Sequence, residues 1–347
     1  MTEALETNAR SVAGMTKAVR WSDFETDMKL AMLLVADGMM NMLGHSPRAV
    51  HAAETFLGIK FPEGFNGGFI IYEASEMWGR ADPEAFMASL KIDDTHLHRC
   101  VARSYRLLTE LRPLSDVEVQ DERDEAVDWV RYFLSAIPTD SYGAGDDYSG
   151  LVFDRSRPLP RLCNLADAYL SLVEFVQRAV GSGAGWGESS DMIVFTADDL
   201  ALLADVDVRS VRNAMGPSGA KPIRSFRALP GDTDEDRAYA DPVDAIEWLS
   251  GRRGFVCGRL DAGWIDRNVG ATGSLKALCA LAGMMFWLNG STTEKMAETL
   301  GWDHARTRDW TRGVGVDAAS AFEVATAAGL DAHAFSNRIH QLLSKED

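Results

Sequence analysis

Four polar residues, Arg209, Ser210, Arg212 and Asn213, are interleaved with the apolar Val206, Val211 and Ala214. On a helix this spacing turns the apolar positions to one side and leaves the polar set on the other. The chemistry available to that face is nucleic-acid contact. An arginine fork pairs with guanine edges or phosphates, and asparagine can bond adenine through two atoms. A second group, His304, Arg306, Arg308 and Arg312, recurs near the C-terminus. Catalysis has no comparable constellation. The chain holds no Gly-x-Ser-x-Gly elbow, Walker loop or His-Glu-x-x-His motif, and its seven histidines are dispersed. Adjacent carboxylates such as Asp93-Asp94, Asp146-Asp147 and Asp198-Asp199 read as solvated or helix-capping groups. His96, His98 and Cys100 are metal-ligand types, but on a helix they are expected to point different ways, with no second cluster nearby. No catalytic residue, metal or cofactor is therefore expected.

The arginine face needs two helices crossing at a sharp angle. Leu200 supplies an apolar contact on the first helix, Ala201 is small enough for close approach, and Ala204 closes that helix. Thr196 is a candidate N-cap, with Asp198 and Asp199 at the positive helix end. The turn runs through Asp205–Asp207, the second helix spans 208–215, and Gly216-Pro217 stops it. Beyond it, 223–228 and 237–240 alternate as two short strands around a turn at 231–236. The segment 241–249 is then a capped amphipathic helix, followed by Arg252-Arg253.

Helix, turn, helix, hairpin, helix is the order of a winged helix-turn-helix. On three stretches, 196–204, 208–212 and 244–249, the segment resembles the excisionase and MerR-type DNA-binding domain. The resemblance covers about 65 residues, roughly 193–256. It implies that Arg209, Ser210, Arg212 and Asn213 form the recognition face and that the hairpin between Arg224 and Arg237 is a wing near the phosphates. Lys221, Arg224, Arg227, Arg252 and Arg253 join the expected DNA-contacting set. Two features differ from the pattern. Asp205 stands where a small residue or glycine is common in the turn, and the wing tip Asp232–Asp236 is acidic.

Ser291–Arg312 repeats the logic. Met296 and Leu300 are inward, Ala297 is the close-approach point, Gly301 serves the turn, and Trp302 and Trp310 fill the core. Arg306, Arg308 and Arg312 decorate the second helix, while Thr307 stands where a branched aliphatic residue is usual. Helices at 316–328 and 330–343, separated by Gly329, complete this part. Two such units in one chain suggest bipartite binding, since linkage raises the effective concentration of the second site. An ordinary helical hairpin with tryptophans as core is the other reading of 291–312.

The 347 residues suffice for two or three domains, with 46% hydrophobic and 25% charged residues. A net charge of −17 argues against nonspecific coating of DNA, where phosphate attraction dominates. Most of the excess negative charge lies before residue 190. No apolar run reaches membrane-spanning length; the most hydrophobic stretch, 275–288, is interrupted by Lys276 and Gly283. The N-terminus is acidic where a secretory signal would be basic, so the expected location is cytoplasmic. Cys100, Cys163, Cys257 and Cys279 are scattered and read as buried free thiols.

Helices are expected at 23–43, 47–57, 82–90, 93–111, 121–136 and 162–180. The first carries an apolar face of Phe24, Met28, Leu30, Leu33, Leu34, Met39 and Met42. Breaks fall at 137–161 and in the glycine-rich linker 181–187. The fold class is mainly α, multi-domain, with an embedded winged helix-turn-helix and a second helix-turn-helix candidate near the C-terminus. The division is a tail (1–20), a helical regulatory or partner-binding domain (21–180), a linker (181–192), the winged unit (193–256) and a helical C-terminal domain (257–347). The functional expectation is a sequence-specific regulator of transcription or of a mobile element. Its partners would be double-stranded DNA and a protein partner or second copy at the N-terminal domain, with no membrane. The alternative is an interaction adaptor using the same folds without DNA.

Overall fold

The computed structural model describes residues 21–61, 63, 65, 89–110, 114–137, 157–181, 194–216, 223–227, 238–253, 255 and 262–346. The expected tail, most of the expected helix 82–90, residues 138–156 of the expected break, residues 182–192 of the expected linker, the wing tip, Lys221 and Cys257 lie outside them. Residues 158–161 and 181 are helical, so the helix expected at 162–180 is longer at both ends. Among the described residues the chain is mainly helical, with one small sheet. No described helix is long and apolar enough to cross a membrane. The chain divides into two compact units. One falls within Lys17–Leu107 and Asp121–Ala166, the other within Leu108–Gln120 and Asp167–Asp347.

The early helices are α1 (Trp21–Met42), α2 (Pro47–Leu57), α3 (His96–Glu110), α4 (Asp116–Glu122), α5 (Asp128–Ser135) and α6 (Pro158–Gly181). In the first unit α1 buries Trp21, Phe24, Met28, Leu33 and Met40. The expected inward position of Met42 is corrected. It is 81% exposed, because α1 ends there and the chain turns away through Leu43–His45. Asp27 is buried within α1 and fully engaged. Arg157 donates to its Oδ1 through Nη2 at 2.7 Å and Nε at 3.2 Å, and the Leu159 N–H donates to Oδ2 at 3.1 Å. A carboxylate out of water persists only with such partners.

The expected helix 121–136 is longer and interrupted. It begins at Asp116, behind the reciprocal cap of Ser115 and Glu118 (Ser115 N to Glu118 Oε2, 2.8 Å), and widens into a π-helical turn at Arg123–Val127 before α5. The Ser-x-x-Glu spacing was the readable signal. The reading of His96, His98 and Cys100 also needs correction. His96 and Cys100 share a face, with Sγ 3.5 Å from Nε2, and only His98 diverges. The Cys100 thiol points to the Glu125 carbonyl at 3.2 Å, and burial pushes its pKa up to about 11.

The second unit contains β1 (Phe195–Thr196), α7 (Ala197–Ala204), α8 (Val208–Met215), β2 (Ser225–Arg227), β3 (Ala238–Ala240) and α9 (Pro242–Ser250). These are followed by α10 (Ala262–Asn268), α11 (Leu275–Leu288), α12 (Thr293–Leu300), α13 (His304–Trp310), α14 (Ala318–Ala328) and α15 (Ala332–Glu346). The strands form an antiparallel sheet in the order β1-β3-β2, pairing Phe195 with Ala240 and Phe226 with Tyr239. Two strands were expected; the two-residue β1 is too short to show a period. Helix α11 is the core. All its residues but Lys276 are buried, as a helix apolar on every side must be. At Gly283 a Cβ would lie 3.0 Å from Thr311 Cγ2, so the small residue allows close approach there. Gly329 is left-handed (φ +74°) between α14 and α15.

Candidate nucleic-acid interface

Helices α7 and α8 are set by local chemistry. Thr196 caps α7 by accepting from Asp199 N at 3.2 Å, while the Asp199 carboxylate accepts from Thr196 N at 2.9 Å and from its hydroxyl at 2.7 Å. Burial raises the Asp199 pKa, against the lowering effect of those Thr196 hydrogen bonds. The turn passes through Asp205 at φ +50°, a conformation aspartate tolerates better than most side chains, and Val206 N bonds Ala201 O at 3.0 Å. Asp207 then caps α8 through Arg209 N at 2.7 Å. Leu200, Ala201 and Val211 are buried where the two helices meet, while Val206 and Ala214 are half-buried. Arg209, Ser210, Arg212 and Asn213 are all exposed on the other side of α8.

The same backbone recurs 96 positions later, an offset that maps Thr196 onto Thr292, Ala201 onto Ala297, Asp207 onto Asp303 and Arg212 onto Arg308. Thr292 caps α12, Gly301 takes the left-handed turn position at φ +65°, Trp302 N bonds Ala297 O at 3.0 Å, and Asp303 caps α13. Met296, Ala297 and Thr307 are buried in place of Leu200, Ala201 and Val211. Thr307 fits there because its hydroxyl donates to Asp303 O at 2.9 Å, so no buried polar atom is left over.

The surfaces of the two copies differ. Arg306 is exposed and lies 4.1 Å over the Trp302 ring. Arg312 is held inside, donating through Nη2 to Asp244 at 2.7 Å and to Glu247 at 3.0 Å, and Arg308 Nε lies 3.7 Å from Glu247. Arg224 is bound to the same cluster. Its Nε and Nη2 donate to Asp244 at 2.7 and 3.2 Å, and its backbone N–H donates at 3.1 Å. Burial pushes the Asp244 pKa upward, but the hydrogen bonds from Arg224 and Arg312 outweigh it and hold the carboxyl below its ordinary value. Glu247 also accepts from the Thr293 hydroxyl at 2.9 Å, which in turn accepts from Trp287 Nε1 at 3.1 Å. Three of the arginines expected on DNA thus join β2, α9 and the end of α13 through two carboxylates of α9. Asp244 and Glu247 are read from the sequence as part of an amphipathic helix and of the stretch 244–249 that carries the resemblance, with no role as a charge cluster; their long-range pairing has no local signature.

Of the remaining expected contacts, Arg252 is exposed with its guanidinium 4.0 Å over Trp248, and Arg253 is exposed. Arg227 lies in β2 opposite Ala238. Beside the ion-pair cluster is a pocket of about 220 Å³, whose lining includes Glu247, Trp248, Thr293, Glu294, His304 and Arg308. Trp248 Nε1, His304 Nε2 and Arg308 Nε are buried without hydrogen-bond partners. Comparison with known proteins finds no matching family model, no similar curated protein and no similar solved structure.

Proposed function

We propose that the protein is a DNA-binding regulator that reads double-stranded DNA with α8, the segment around 193–256 acting as a winged helix-turn-helix. The observation that carries this reading is the exposed row Arg209, Ser210, Arg212 and Asn213 on a short helix packed against α7, which in turn contacts the sheet. A rigid helix with arginine and asparagine on its free face suits base-edge readout in the major groove. The resemblance of this segment to excisionase and MerR-type domains supports the same reading. The second helix pair supports it less, because Arg308 and Arg312 face the α9 carboxylates. Any contact from that pair rests on Arg306.

The test is binding of the full chain to genomic duplex fragments, including the promoter region of its own gene, at two salt concentrations. The Arg209→Ala/Arg212→Ala variant is measured beside it. Each lost base contact should weaken binding by about 1–3 kcal/mol, and each lost phosphate contact should reduce the salt slope by about one. Fragment-selective, salt-sensitive binding that the variant loses supports the regulator. Binding by neither protein rejects it in favour of an adaptor that contacts only protein.

A further inference from the structure

Within the first unit Trp21, His98 and Ser104 each bury a polar atom without a hydrogen-bond partner, and of these three His98 is the metal-ligating type. His98, on the first turns of α3, is 3% exposed, and neither ring nitrogen has a hydrogen-bond partner. The Trp21 indole packs nearly perpendicular to its ring, with ring centroids 5.5 Å apart. Burying an imidazole this way is unfavourable, and such an orphan in a folded interior calls for a missing partner. Two carboxylates stand beside it. Glu25 projects from α1, half-buried, and Asp93 lies on the exposed turn just ahead of α3. Each of the three residues offers one ligand atom, and these atoms lie within 4.8 Å of one another, with His98 Nε2 3.8 Å from Asp93 Oδ1. That separation is too long for a hydrogen bond. It falls in the range of donor atoms sharing one ion, which sit about 3–4 Å apart when each bond is about 2.1 Å.

We propose that Glu25, Asp93 and His98 form a binding site for a first-row divalent transition-metal ion. One imidazole nitrogen with two carboxylate oxygens suits zinc, cobalt or manganese, whereas magnesium and calcium favour all-oxygen sets. The nearest thiol does not join, since Cys100 Sγ is directed to the Glu125 carbonyl. A dication would offset two carboxylates brought close together and give the buried imidazole its partner. Three protein ligands leave at least one coordination position for water, which reaches the site from the Asp93 side. The ion would clip α1 to the start of α3, so its first effect is on the stability of this unit. The site is independent of the DNA-reading face and stands or falls without it.

The experiment uses the full chain stripped with EDTA and dialysed, then titrated with Zn²⁺ by calorimetry and with Co²⁺ by visible absorption. Thermal unfolding is followed in parallel. The expected result is one equivalent bound, a raised unfolding temperature, and a cobalt spectrum abolished by excess zinc. His98→Ala removes a buried ring and is open to misfolding, so the deciding variants are Glu25→Gln and Asp93→Asn. Each should keep the helical circular dichroism of the parent and weaken metal binding at least tenfold. Absence of binding by the parent overturns the proposal. So does binding that the Glu25→Gln/Asp93→Asn double variant retains, which would place the metal elsewhere.

Discussion

Replacing Asp244 by alanine should be the most costly single change in the ion-pair cluster. Its carboxylate is 4% exposed and accepts three hydrogen bonds from Arg224 and one from Arg312. Removing one member of a buried ion pair generally costs about 3–5 kcal/mol because the survivor is left uncompensated. Two features reduce that here. Arg312 keeps Glu247 at 3.0 Å, and the Arg224 side chain is 54% exposed and can turn to water. The part-buried Arg224 N–H does lose its acceptor, a cost of about 1–3 kcal/mol. The expected destabilisation is about 3 kcal/mol, a fall of about 6–12 °C in the unfolding midpoint for a unit of this size. Arg312→Ala should cost less, about 2 kcal/mol, since Asp244 keeps Arg224. Arg224→Ala should cost least, about 1 kcal/mol, because an exposed arginine is well solvated. Thermal unfolding of the full-length variants, followed by circular dichroism, measures all three. A midpoint for Asp244→Ala within about 2 °C of the parent, or an Arg224→Ala variant less stable than Asp244→Ala, would refute the reasoning.

Acid provides a second check on the same carboxylate. A folded-state pKa held below the ordinary value contributes stability that is present above that value and lost as pH falls through the folded one. The gap between parent and Asp244→Ala should therefore be constant near neutrality and shrink below about pH 4. A gap that stays unchanged at pH 3 would contradict it. Thr196→Ala and Thr292→Ala each remove an N-cap hydrogen bond and should each cost about 1 kcal/mol, read as midpoint shifts in urea. Gly301→Ala should also cost about 1 kcal/mol. Its Cβ would meet nothing within 4 Å, so the whole effect is the strain of φ +65°. At Gly283 helix propensity favours alanine by about 1 kcal/mol. The 3.0 Å approach of Thr311 Cγ2 opposes it by about 1–3 kcal/mol of overpacking, so net destabilisation is expected. A more stable Gly283→Ala protein would mean that Thr311 moves aside freely.

What the sequence made legible is what depends on near neighbours. Thr196 caps the helix it precedes, as its type and position suggest, and the polar row of α8 is exposed as its spacing requires; Asp207, Thr292 and Asp303 cap their helices by the same local rule without having been singled out. The 47–57 helix carries both its signals, Ser46 before Pro47 and a left-handed Gly58 after Leu57, and its ends were read correctly. What was illegible depends on distant partners. Arg312 and Asp244 are 68 positions apart, and nothing on α13 distinguishes an arginine that pairs inward from one that faces solvent. The inward turn of His98 is settled by α1 packing over it. The π-helical turn at Arg123–Val127 keeps the chain helical and is too short to break the apolar pattern visibly, so the sequence reads as one continuous helix.

The ion-pair cluster bears on how the segment proposed to read DNA can be studied. Among the described residues, the side chains that hydrogen-bond Glu247 or lie within ion-pair distance of it, Thr293, Arg308 and Arg312, come from beyond residue 255. A fragment ending there would keep α7, α8 and α9 but strip Glu247 of these partners and Asp244 of Arg312. It would also lose α11, the apolar helix packed on α9. Excision would thus unseat the helix that anchors Arg224 at the start of β2. DNA affinity measured on such a fragment would report on a loosened scaffold. The smallest piece worth assaying is one that retains α11 and the pair α12–α13 through Arg312, even if that pair never touches DNA.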